Sequence, residues 1–156
     1  MRADRLLKLA GFLEILRVSK FDFGTDICGS STCAIGWCSA VFSNLCDYQR
    51  PFPNVIRMKD DHNLTGFQDV SIKLFNISIM ETYFLFCPKL MNGNSPNTGM
   101  WKWINRMLLN KNCKAKDVSN RIRKFVDYKL RKEHAWKQYE YEKFGCNVTN
   151  KREICI

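Results

Sequence analysis

The sequence predicts an all-α fold: a small single-domain bundle of about five or six helices with loops, a long basic C-terminal helix and room for one tiny strand pair. Three observations predict it. Apolar residues near both ends of the chain recur at three- and four-residue intervals, the period of a helix and not of a strand. The pair Ser78-x-x-Glu81 is a capping box set directly before an apolar run. The 156 residues, with eleven Phe, five Tyr and four Trp, can bury a core without disulfides or metal.

The first helix is written in "MRADRLLKLAGFLEILRVSK". Asp4 is placed to cap it, and Leu6, Leu9, Ala10, Leu13 and Leu16 make its apolar stripe. "KFDFGTDICGSS" is a turn-rich connector. Its Asp22-Phe23-Gly24 matches the kinase magnesium tripeptide, but no glycine-rich loop or catalytic loop accompanies it. A second helix is expected over residues 31–43, capped by Ser30 or Ser31, with Ala34, Trp37, Cys38, Val41 and Leu45 on its apolar side. Pro51, Pro53 and polar clusters then predict loop from Leu45 to Thr65, with a short extended piece at Asn54–Met58.

"GFQDVSIKLFNISIMETYFLFCP" predicts two short helices divided at Asn76. Ser78 and Glu81 open the second, and Pro88 stops it after Cys87. "KLMNGNSPNTG" is loop, followed by a helical stretch at Trp101–Leu109. The last helix is expected from about Asp117 to Phe144, ended by Gly145, with Val118, Ile122, Phe125 and Val126 buried. Beyond Leu130 its stripe weakens. The expected organisation is therefore a helical core over residues 1–130, and a helix extension with a loose tail over 131–156.

Charge is unevenly placed. The formal net charge is +10, and Trp101–Phe144 holds thirteen Lys/Arg against five Asp/Glu, or +8. "RIRKFVDYKLRK" concentrates Arg121, Arg123, Lys124, Lys129, Arg131 and Lys132 against one Asp. These six residues are the candidate contacts for nucleic acid or an acidic protein surface. Tyr128, Trp136, Tyr139 and Tyr141 would stack on bases where exposed. Within the helix, Glu133, Glu140 and Glu142 are placed to pair with some of the cations. The apolar helix after Asn76 looks like the second half of a helix-turn-helix, yet its only charge is Glu81. A helix this apolar belongs in a core and not in a groove of DNA.

The cysteines form the competing constellation. Cys28, Cys33, Cys38 and Cys46 are spaced C-x4-C-x4-C-x7-C, unlike the close pairs that clamp structural zinc. On a helix, Cys33 and Cys38 would point about 140° apart. A thiol nucleophile needs a nearby base, and only His62 or His134 is available. Buried cysteine acting as a small hydrophobe is the plainer reading. No phosphate-cradling loop, paired-carboxylate site or dinucleotide fingerprint is written in the chain, so no cofactor is expected. No apolar run approaches the ~18 residues that span a bilayer. No membrane association is expected, and a cytoplasmic location is.

Several stretches resemble a group of small proteins of bacteria and their phages that have no assigned activity. The family pattern opens "LLKLAxFL", continues "FDFG", "CGTxxCAxGW" and "FFGLxxxEAxYLF", and closes "DVAxRIRxF". This chain reads "LLKLAGFL", "FDFG", "CGSSTCAIGWC", "LFNISIMETYFLF" and "DVSNRIRKFV" in the same order, across about residues 5–126. It departs by a serine inserted before Thr32, by Asn76 in place of a glycine, and by a longer basic C-terminal helix. The resemblance implies a phage or prophage accessory protein and transfers no activity. The expected function is thus a non-enzymatic binding protein using the basic helix. The alternative is a thiol-dependent enzyme or structural zinc protein centred on Cys28–Cys46.

Overall fold

The computed structural model describes residues 1–22, 33–48, 55–87 and 113–144, except for the side chains of 137 and 139–144. Within them the fold is dominated by helix, with five α-helices, one short 3-10 turn and one two-stranded sheet. Helix α1 (Ala3–Ile15) completely buries Leu6, Leu9, Ala10 and Leu13, the i, i+3, i+4, i+7 set of one helical face. Asp4 is not its cap. The N-cap residue is Arg2, which makes no side-chain capping bond. The Arg2 N–H instead donates to the Phe75 carbonyl at 2.7 Å, so tertiary structure satisfies a donor that a capping side chain would otherwise take. Asp4 lies in the first turn, where the helix dipole favours its charge.

The second predicted helix is much shorter than the sequence suggests. Helix α2 comprises only Cys38–Val41, and the residues from Cys33 up to it form turns. The Gly36 N–H donates to Cys33 Sγ at 3.3 Å, and the Cys38 N–H donates to the Ile35 carbonyl at 2.9 Å. The Cys38, Ser39 and Ala40 N–H groups each bond the carbonyl three residues back, the tighter 3-10 spacing, so the run leading into α2 is turn and not α-helix. Ser30, Ser31, the Trp101–Leu109 stretch, Pro88 and the tail after Phe144 lie outside the described residues.

Strands β1 (Cys46–Tyr48) and β2 (Ile56–Met58) pair antiparallel, Asp47 opposite Arg57. Arg57 Nε donates to Asp47 Oδ1 at 2.8 Å, an opposite-charge cross-strand pair. The extended piece expected at 54–58 contains β2. Strand β1 falls where loop was expected.

Helices α3 (Gly66–Phe75) and α4 (Ile79–Phe86) form on either side of Asn76, as the sequence predicts. Asn76 adopts the left-handed conformation, φ 51° and ψ 57°, which asparagine tolerates better than other residues that carry a Cβ. Both halves of the capping box are made: the Glu81 N–H donates to Ser78 Oγ at 3.3 Å, and the Ser78 N–H to Glu81 Oε2 at 2.8 Å. Thr82, Leu85 and Phe86 are buried, so this pair is a packing element.

Helix α5 (Ala115–Phe144) starts two residues before the predicted Asp117. Asp117 acts on that start from inside the first turn, where Oδ2 accepts the Lys114 N–H at 2.8 Å. Val118, Ile122, Phe125 and Val126 are buried. The chain divides into two units, Met1–Arg123 and Lys124–Ile156, and α5 runs through both. In the first unit, the Phe75 ring lies 6.1 Å from Phe42 and 5.7 Å from Phe86, centroid to centroid. The Ser119 hydroxyl donates to the Ala10 carbonyl at 2.8 Å, which fixes the start of α5 on α1.

Candidate functional site

Cys33, Cys38 and Cys46 are buried. Cys46 Sγ is 3.2 Å from the Cys38 carbonyl, which accepts its S–H. Tyr48 donates its hydroxyl proton to the Gly36 carbonyl at 2.6 Å. Burial, reinforced by Cys46 and Cys33, pushes the Cys38 thiol well up, and burial first, then Asp47, pushes Cys46 up to about 12. These groups are neutral thiols at physiological pH, whereas the nucleophile and the metal ligand are both thiolates. His62 is exposed. Among the described residues, no group of three His, Cys, Asp or Glu side chains is arranged to hold a metal ion. Cys28, the remaining member of the spacing pattern, lies outside the described residues.

The six candidate cations are not equivalent. Arg121 is half-buried. Its guanidinium lies 4.6 Å from the centroid of the Phe84 ring and donates to the Phe84 carbonyl at 2.7 Å. Desolvation lowers its pKa, offset in part by Cys113. Arg123 is exposed and paired with Glu14 at 2.8 Å. Both residues thus contribute contacts inside the first unit.

The other four lie in the second unit. Lys124 is exposed. Lys129 is partly buried, its ammonium 5.7 Å from the Phe125 ring. Arg131 is exposed and ion-paired with Asp127 one turn back. Lys132 is exposed, its ammonium 5.0 Å from the centre of the Tyr128 ring.

Helical periodicity sorts these residues. At 100° per residue, the buried Val118, Ile122, Phe125 and Val126 occupy one side of α5, with Lys124 and Arg131 close to the opposite side. Lys129 falls back toward the buried stripe. Lys124, Tyr128, Lys132 and Trp136 follow one another at four-residue steps, so each stands about 40° round from the last. Tyr128 and Trp136 are 51 % and 60 % exposed. The side chains of Tyr139 and Tyr141 lie outside the described set. Sequence reasoning found the cations and the rings, but it did not separate Arg121, which packs inward, from the outward-facing set.

No protein-family model, curated protein or solved structure matches this chain.

Proposed function

We propose that the chain is a non-enzymatic intracellular accessory protein, of phage or prophage derivation, in which a helical bundle presents the C-terminal basic helix to nucleic acid. The cytoplasm of the host cell is the proposed compartment. The observation that carries the reading is the exposed Lys124, Arg131 and Lys132 interleaved with the exposed rings of Tyr128 and Trp136. Cations attract any polyanion, including an acidic protein surface. Exposed aromatic rings between them favour nucleic acid, because every base offers a face on which to stack. The thiol-enzyme alternative draws no support from Cys38 and Cys46, whose burial holds them as thiols.

The test is polyanion binding as a function of salt. Three or four phosphate contacts predict that log K falls with log salt at a slope of about −2 to −3 for a single strand. Charge reversal at Lys124, Arg131 and Lys132 together should abolish most of that dependence. No affinity for nucleic acid at low salt would end the reading in this form. Salt-dependent capture by an acidic polypeptide instead would transfer it to a protein partner.

A further inference from the structure

The face of α5 that carries the cations also has a chemistry suited to one form of nucleic acid, an inference that rests on the nucleic-acid reading above. We infer that the Lys124–Trp136 stripe binds single-stranded nucleic acid in preference to duplex, by stacking unpaired bases on Tyr128 and Trp136 while Lys124 and Lys132 hold the backbone.

Lys124, Tyr128, Lys132 and Trp136 alternate cation and ring along a row that winds about 120° round the helix over roughly 18 Å, at 1.5 Å per residue, so a strand following it must wind with it. Tyr128 and Trp136 are therefore about 12 Å apart along the helix axis, enough for a strand to lay separate bases on each. A single strand needs such alternation, a charge for each stretch of backbone and a flat apolar surface for each exposed base. In a duplex the base faces are already covered by their neighbours. A ring can reach them only by wedging a step open, which costs a few kcal/mol.

The same face is poorly equipped for a groove. Reading base edges calls for amide and guanidinium side chains directed at base edges. Of the guanidinium groups on α5, Arg121 is turned onto Phe84, Arg123 onto Glu14 and Arg131 onto Asp127. Lys132 lies against Tyr128, so a base stacked on the ring's other face would complete a cation–ring–base sandwich.

Fluorescence anisotropy on the full-length protein tests this, with a labelled oligothymidylate and a labelled hairpin duplex of equal phosphate count. Tighter binding of the single strand is expected. Tyr128→Ala and Trp136→Ala should each weaken it at least about five-fold while leaving duplex binding unchanged. Tyr128→Phe, which keeps the ring, should retain the affinity. Because both rings are exposed, the helical circular-dichroism signal of every variant should match that of the parent.

Equal binding of the two probes, unaffected by loss of either ring, would overturn the single-strand inference and leave the charge-based reading standing. Absence of binding to both probes at low salt would overturn the two together.

Discussion

Substituting Arg121 separates stability from binding along one helix. Its guanidinium donates to the Phe84 carbonyl at 2.7 Å and packs over the Phe84 ring at 4.6 Å. A hydrogen bond from a charged donor contributes about 1.5–3 kcal/mol, and a cation–ring contact about 0.5–2 kcal/mol. The two share one group that keeps part of its hydration, so their sum overcounts. Arg121→Ala should therefore cost about 2–3 kcal/mol, within the range of a lost buried network. With a urea dependence of about 1.5 kcal/mol per molar, the unfolding midpoint would fall by roughly 1.3–2 M. The assay is equilibrium urea denaturation of Arg121→Ala beside Lys124→Ala, with the salt dependence of oligonucleotide binding measured on both. Lys124→Ala should barely move the midpoint and should lower the salt slope by about 0.7. Arg121→Ala should do the reverse at protein concentrations and temperatures where it stays folded. If Arg121→Ala left the unfolding free energy within ~0.5 kcal/mol of the parent and flattened the salt slope, the assignment of Arg121 to the fold would be wrong.

Two further outcomes follow from local geometry. Asn76→Gly should be neutral or slightly stabilising, because glycine reaches the observed φ of 51° without a Cβ clash. Asn76→Val should cost about 1–2 kcal/mol in the same denaturation assay. The Cys46 thiol rises from the ordinary 9.0 to about 12 on folding, so above pH 9 the unfolded chain releases a proton that the folded chain keeps. Its contribution is thus complete below pH 9 and is lost as pH climbs toward 12. Alkaline unfolding should steepen in that window, more weakly in Cys46→Ala. Rapid labelling of Cys46 by a thiol reagent in the folded protein at pH 8 would contradict its burial.

The elements visible in the sequence are those specified by neighbours in the chain. The stripe Leu6-Leu9-Ala10-Leu13 gave α1, the Ser78–Glu81 box gave the start of α4, and Asn76 gave the break before it. Each signal lies within one or two helical turns. Elements set by distant partners were missed. Strand β1 has three residues, too few to show alternation, and its pairing depends on β2 ten residues away. The run after Cys33 has a helical period in its apolar residues but bonds three residues back, Cys38 to Ile35 and Ser39 to Gly36, which the period does not reveal. Arg121 reads as one more cation in a basic run because its partner, Phe84, stands 37 residues earlier. The exposed row from Lys124 to Trp136 was legible as composition. That Lys124 and Arg131 lie opposite the core required the position of the buried stripe.

The Ser119–Ala10 bond joins residues 109 positions apart, and that separation has a consequence in time. At roughly 5–20 residues per second, a ribosome takes on the order of 5–20 s to make the intervening chain. During that interval α1 has left the exit tunnel without α5 to pack on it. Helices α2 and α3, which also touch α1, are made sooner and can shelter Leu6, Leu9 and Leu13 in the nascent chain. The arrival of Ser119 then completes the seal. A chain stalled before residue 115 should be sticky to chaperones, and one released after residue 126 should not.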